Sequence, residues 1–290
     1  MLVVQAQLED GNNTLPQHWG GVLHGFVERA IMQHTPHLLP LLRPAGKDDY
    51  ACMAITPPSY GMELDGTLRF GVILFRDATQ SWNQIARAIL QQAESKILNR
   101  TVQIEMAWMC QPGREMQPAI LHDRMVDPPP WPESPAAWLR NFELHHAEAH
   151  EETALHQLDF SSPLLVGSRN SIRRDNTMPW PSIKTLLDSI AKRMLVLEPE
   201  LAQHVGLYPE WVANEAYASV APLTKPENPA KHIHWQYSHS RSILKPGIVG
   251  PLLYCCPLGA LEIALLEWGQ WLGVGQQTTM GCGRYTYSIF

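Results

Sequence analysis

The last eighteen residues, GVGQQTTMGCGRYTYSIF, hold four glycines in two pairs, Gly273 with Gly275 and Gly281 with Gly283. An apolar residue sits inside each pair, and five residues separate the pairs. Glycine reaches positive φ and lets another backbone come close. Successive N–H groups in such a loop can form a concave nest for an anion, and a phosphate backbone is one suitable ligand. No Gly-Lys-Ser/Thr follows, which excludes a Walker-type phosphate loop. The loop precedes a strand-like segment rather than a helix, which excludes a dinucleotide fingerprint. A tight helix-to-strand connection packed on a neighbouring domain accounts for the same glycines without any ligand.

A second constellation is HHAEAH, which puts His146 and His150 four residues apart. On a helix these imidazoles could share a zinc ion, completed by a Glu or another His. No HExxH accompanies them, and a solvated or interdomain histidine cluster accounts for the segment better than a zinc site does. The reading therefore calls for no metal and no cofactor.

The elements that must position the loop follow from periodicity. Residues 1–8 read as a strand and residues 15–34 as a helix, with Trp19, Leu23, Phe26, Val27, Ala30 and Ile31 at helical spacing. Residues 50–56 and 68–75 read as strands joined by the turn-rich PPSYGMELDG. Residues 81–98 read as a helix with Ser81 as N-cap and Ile85, Ile89, Ala93 and Ile97 on one face. Residues 101–109 close the unit as a strand. This βαββαβ order is ferredoxin-like: an antiparallel sheet with both helices on one face.

The second half repeats the pattern. Strands are expected at 154–166, 232–240, 247–256 and 283–290. Helices are expected at 180–197, with Pro181 in the first turn, and at 258–272. A long insertion spans about residues 198–230. The expectation is an α+β chain of two tandem ferredoxin-like domains: residues 1–122, a Pro-rich linker at 123–140 carrying DPPPWPESP, and residues 141–290.

Composition limits what such a chain can be. It has 290 residues, 45% of hydrophobic type, enough for two real cores. The five cysteines are odd in number and form no CxxC, so a disulfide framework is not expected and a reducing compartment fits. The start MLVVQAQLED has no basic region of a signal peptide, and no apolar run approaches a membrane span. A cytoplasmic protein without a membrane partner is expected. The net charge of −6 argues mildly against nucleic acid as a partner unless basic residues are gathered locally.

GVGQQTTMGCGRY resembles the GΦGxxxxxGΦG loop of the RAMP superfamily of CRISPR-associated proteins. More narrowly, the chain resembles the repeat-processing endoribonucleases of that superfamily. HGFVERAI stands where the family has its first helix. ITPPSYG with GTLRFGVILF resembles its strand, proline turn and second strand, and LDFSSPLLV with AKRM resembles the opening of its C-terminal domain. The resemblance implies two tandem ferredoxin-like domains, as the element order does.

It also implies a chemistry. Such enzymes cut RNA without a metal: the 2′-OH attacks the adjacent phosphate, leaving a 2′,3′-cyclic phosphate and a 5′-OH. This needs a base, an acid and groups that stabilise the phosphorane. Histidine suits both proton roles. In the family the acid/base His lies in or just after the first helix, where this chain offers His18, His24, His34 and His37. His34 and His37 flank the helix end that Pro36 enforces, with Lys47 available for phosphate charge and Tyr50 as an auxiliary. Arg43 stands where many relatives carry their His.

RNA grip is then expected from Arg169, Arg173 and Arg174 in GSRNSIRRDN, from Arg241 and Lys245, from Gly273, Gly275, Gly281 and Gly283, and from the adjoining Arg284. His232, His234, Trp235, Tyr237 and His239 share one expected strand and could stack on bases. The implied partners are precursor and mature CRISPR repeat RNA, with other effector subunits as further candidates. Two rival readings share the fold: a non-catalytic RNA-binding RAMP subunit, and a ferredoxin-like protein unconnected with RNA.

Overall fold

The computed structural model describes residues 1–9, 16–42, 50–62, 64–92, 96–98, 100–110, 117–118, 120–121, 124–125, 153–166, 179–223, 227, 229–238 and 241–290. They fall into two compact units. One comprises Met1–Pro130 with Ser238–Arg241 and Thr279–Gly281, and the other comprises the remainder.

In the N-terminal unit the strands are β1 (Leu2–Leu8), β2 (Met53–Thr56), β3 (Thr67–Leu74), β4 (Lys96–Ile97) and β5 (Arg100–Met109). The helices are α1 (Gly20–His34) and α2 (Trp82–Leu90). The sheet order is β2-β3-β1-β5-β4, with antiparallel pairs throughout. Leaving aside the two-residue β4, this is the ferredoxin-like arrangement that the element order predicts. Short strands β6 (Gln117–Pro118), β7 (Ile120–Leu121) and β8 (Arg124–Met125) follow.

The core comes from matched periodicities. Along β1 burial alternates at every residue, so Leu2, Val4, Ala6 and Leu8 face inward. On α1, Leu23, Phe26, Val27, Ala30 and Ile31 form the buried stripe. Phe26 meets Phe70 of β3 edge-on, with centroids 6.1 Å apart. Helix α2 ends at Leu90, earlier than its apolar spacing suggests, and Ile97 is buried from β4 instead. A hydrophobic residue every four positions is compatible with a helix, but here the chain turns back to pair with β5. Ser81 takes the N-cap position without making a side-chain capping bond.

The C-terminal half contains β9 (Ala154–Leu164), α3 (Ile183–Leu197), α4 (Pro199–His204), β10 (Lys231–Ser238), β11 (Arg241–Cys256), α5 (Ala260–Leu272) and β12 (Tyr285–Ile289). Its order β10-β11-β9-β12 repeats the first sheet. β9 pairs antiparallel with both β11 and β12. The true N-cap of α3 is Ser182, which accepts from Thr185 N, and Pro181 precedes the cap rather than entering the first turn. The insertion holds α4 and, among the described residues, a 3-10 stretch at Glu215–Ser219.

Helices α3 and α5 pack against each other, and two buried arginines tie down the end of α5. Arg193 of α3 donates Nε and Nη2 to Leu272 O at 3.1 and 2.9 Å. Arg284 donates Nη1 to Trp271 O. Cations suit a helix C-terminus, where carbonyls lack partners.

Candidate functional site

The glycine loop runs from the end of α5 to β12, through a 3-10 turn at Thr278–Met280. All four glycines have positive φ: 74° at Gly273, 82° at Gly275, 74° at Gly281 and 68° at Gly283. The glycine pattern is thus a backbone requirement before it is anything else. A methyl group on Gly283 would run into Val274 O, and one on Gly275 into Leu165 O.

Most of the loop's N–H groups are already used. Gly273 N donates to Gly269 O at 2.7 Å, Val274 N to Gly283 O at 3.1 Å and Gly275 N to Ser189 Oγ at 2.9 Å. Gln276 N donates to Leu165 O at 2.8 Å and Gly283 N to Pro163 O at 2.9 Å. At Gly273, Gly275 and Gly283 the loop is therefore a hydrogen-bonded joint inside its own unit. Gln277, between the two glycine pairs, also has a positive φ, 58°.

Arg284, expected beside RNA, is 3% exposed. Burial and the neighbouring Arg193 charge lower its guanidinium pKa to about 9. Arg284 N also donates to Ser162 Oγ at 2.8 Å. Its side chain anchors the loop from beneath instead of reaching solvent, which nothing in the order GCGRY reveals.

The histidines separate into two kinds. His18 is 5% exposed, with Nε2 3.3 Å from Met280 O, and burial lowers its pKa to about 4. His24 is half-buried within α1. His34 and His37, by contrast, are both exposed at the C-terminal end of α1 and in the 3-10 stretch Pro36–Leu41 that follows. Pro36 starts that stretch, as expected of a residue that cannot continue the helix. Each exposed ring meets a glutamine: His37 Nε2 lies 2.9 Å from Gln84 Oε1, and His34 Nε2 lies 3.2 Å from Gln92 Nε2. Gln92 also donates to Gln33 Oε1. Sequence reasoning missed these amides. Gln84 sits on the solvent side of α2, and only the packing of α1 on α2 brings it to the ring. Tyr50 is half-buried.

On β10, His232 packs on Trp180 with centroids 4.3 Å apart, and His234 is exposed. Trp235 and Tyr237 fall on β10, and Arg241 and Lys245 on β11. Arg43, Lys47, His146, His150, Arg169, Arg173, Arg174 and His239 lie outside the described residues. Among the described residues no group of three His, Cys, Asp or Glu could hold a metal ion, and no helix is long and apolar enough to cross a membrane.

Residues 158–285, from within β9 to the first residue of β12, match the family described as CRISPR-associated endoribonuclease Cas6. Solved structures extend the likeness to the whole chain. A Cas6 of Thermus thermophilus, in its product complex, has a TM-score of 0.58 at 14% identity, covering 100% of this chain and 98% of its own. The chain has the fold of Cas6. A second Cas6 product complex gives a TM-score of 0.56 at 17% identity, covering 99% of this chain and 100% of its own. A partial Cas6-RT-Cas1–Cas2 complex gives 0.57 at 12% identity, covering 100% of this chain and 45% of that one. No curated protein sequence matches. In this Cas6-like chain the family match contains the glycine loop, both arginines at the end of α5, and the whole of β10 and β11.

Proposed function

We propose that this Cas6-like chain is an endoribonuclease that cuts precursor CRISPR RNA within its repeats. The observation that carries the reading is the pair of exposed imidazoles, His34 and His37, at the C-terminal end of α1 in a Cas6 fold. One imidazole takes the proton of the 2′-OH as the O2′–P bond forms. The P–O5′ bond then breaks, the 5′-oxygen takes a proton from an acid, and a 2′,3′-cyclic phosphate remains. Imidazole supplies these proton transfers near neutral pH without a metal. Lys47 balances phosphate charge and Tyr50 assists.

Arg169, Arg173 and Arg174, with Arg241 and Lys245, supply the phosphate contacts that the overall charge of −6 does not. The loop of Gly273, Gly275, Gly281 and Gly283 lies on the RNA path, and the chain stays bound to the mature guide RNA. The related structures are Cas6 product complexes and a partial Cas6-RT-Cas1–Cas2 complex, which supports RNA and other CRISPR proteins as the two partner classes. An odd set of five cysteines without a CxxC suits a cytoplasmic site of action.

The test is incubation of purified protein with repeat RNA in EDTA. The expected result is one specific cut whose 5′ fragment ends in a cyclic phosphate. Tight binding without a cut would leave the non-catalytic RAMP subunit as the better reading, and no binding at low salt would remove RNA altogether.

A further inference from the structure

The amide partners of the two exposed imidazoles are opposite in kind, and this separates rings that the sequence treats as equivalent. A neutral imidazole carries one N–H and one lone pair, and the hydrogen bond on one nitrogen decides what the other offers. Gln92 turns its NH2 to the cluster, where it donates to Gln33 Oε1. That NH2 also meets His34 Nε2 at 3.2 Å. With the amide so placed, the His34 nitrogen accepts, which puts its proton on Nδ1. A protonated His34 would set N–H against N–H.

At His37 the relation is reversed. The atom facing Nε2, at 2.9 Å, is the acceptor Gln84 Oε1, so Nε2–H donates and Nδ1 keeps its lone pair. When Nδ1 gains a proton the ring becomes a cation. The bond to Gln84 then becomes charge-assisted and stronger. Among the described residues, the other titratable or charged side chains nearest along these elements are His34 at the end of α1 and Arg87 one turn along α2.

We propose that Gln84 is a positioning residue that holds His37 as its Nε2–H tautomer, leaving Nδ1 as the nitrogen that takes the 2′-OH proton. The inference rests on the function proposed above for its chemistry, but not for the tautomer. In the step itself, the 2′-OH proton passes to Nδ1 and the O2′ electron pair forms the new bond to phosphorus. The pair of the broken P–O5′ bond leaves with O5′, which is protonated by solvent. Gln84 exchanges no proton and steadies the imidazolium through Oε1.

Two readouts test this. The first needs no activity: long-range 1H–15N spectra of the intact protein should report His37 as the Nε2–H tautomer in the wild type. Gln84→Leu should lose that preference. An Nδ1–H tautomer in the wild type overturns the proposal even if the protein cuts RNA. The second is kinetic. Gln84→Leu should lower kcat about tenfold with KM for repeat RNA unchanged, since one hydrogen bond is lost. Gln84→Glu keeps the acceptor and adds a negative charge. It should restore kcat at its own optimum while moving the acidic limb of the pH–rate profile about one unit higher. Wild-type kinetics in Gln84→Leu, or a Gln84→Glu profile that superimposes on the wild type, would refute the positioning role. If the wild type does not cut RNA, the proposed function fails and the spectra alone decide the tautomer. Gln84 is exposed, so neither variant removes core packing.

Discussion

The Nε2 atom of His18 lies 3.3 Å from the carbonyl oxygen of Met280, 262 residues away in sequence. Both belong to the N-terminal unit, where Thr279–Gly281 clusters with Met1–Pro130. The contact is close: a side chain on Gly20, at the start of α1, would run into Met280 O. The tip of the glycine loop is thus seated at the beginning of the first helix, on a histidine buried in its neutral form.

Acid should loosen this seat. Burial lowers the pKa of His18 from 6.5 to about 4. The fold favours the neutral ring, so the contribution is full above pH 6.5 and is lost as pH falls from 6.5 towards 4. The limit is about 3 kcal/mol. His156, buried between Tyr287 OH at 2.8 Å and Cys256 O at 3.1 Å, is shifted down by burial and acts in the same direction. Urea midpoints should fall steadily below pH 6.5, in addition to a fall between pH 8 and 6 from the buried N-terminal amine, whose pKa burial lowers from 8.0 to about 6. A His18→Gln variant should show a shallower fall, and an identical slope would mean that His18 does not titrate in this range.

Glycine substitutions should split by backbone. Gly283→Ala combines a φ of 68° with a collision at Val274 O. The left-handed backbone alone costs about 1–2 kcal/mol, and the collision adds to it. Gly25, inside α1, has nothing within 4 Å of an added methyl, so Gly25→Ala should gain about 0.5–1 kcal/mol. Thermal melts of the two variants should move in opposite directions. Because all four loop glycines have positive φ, no alanine there is a fold-neutral probe of RNA contact.

His37→Ala should slow cleavage by about 100- to 10,000-fold while leaving RNA binding nearly intact. His34→Ala should cost less, because His34 Nε2 is already occupied by Gln92. Single-turnover rates with saturating enzyme measure this directly. Equal losses in both variants would put a proton on each ring during the reaction.

The arginines should sort by salt dependence. Replacing Arg169, Arg173 and Arg174 with Ala should lower the slope of log Kd against log salt by about 0.7 for each lost single-strand phosphate contact. Arg284→Lys should leave that slope unchanged. It should instead lower the melting temperature, because its guanidinium is buried against Trp271 O. A reduced slope in Arg284→Lys would put this residue on the RNA path after all.

Much of the architecture is legible in the sequence because local periodicity is a local property. The alternation in MLVVQAQL and the stripe from Leu23 to Ile31 require only their own residues to dictate a strand and a helix. Repetition of that order dictates two similar sheets, and the spacing of four glycines dictates a loop that no other residue can form. Where local signals compete, tertiary pairing wins, as at Ile97, whose helical spacing yields to the β4–β5 hairpin. The site is less legible, since a histidine or arginine in a string carries no mark of its burial. Only the tertiary structure decides that His18 and Arg284 are enclosed while His34 and His37 are exposed. Only it brings a glutamine oxygen to one ring and a glutamine NH2 to the other. The histidine outcomes depend on contacts between residues 47 to 262 positions apart, which are made by packing rather than by any neighbour in the chain.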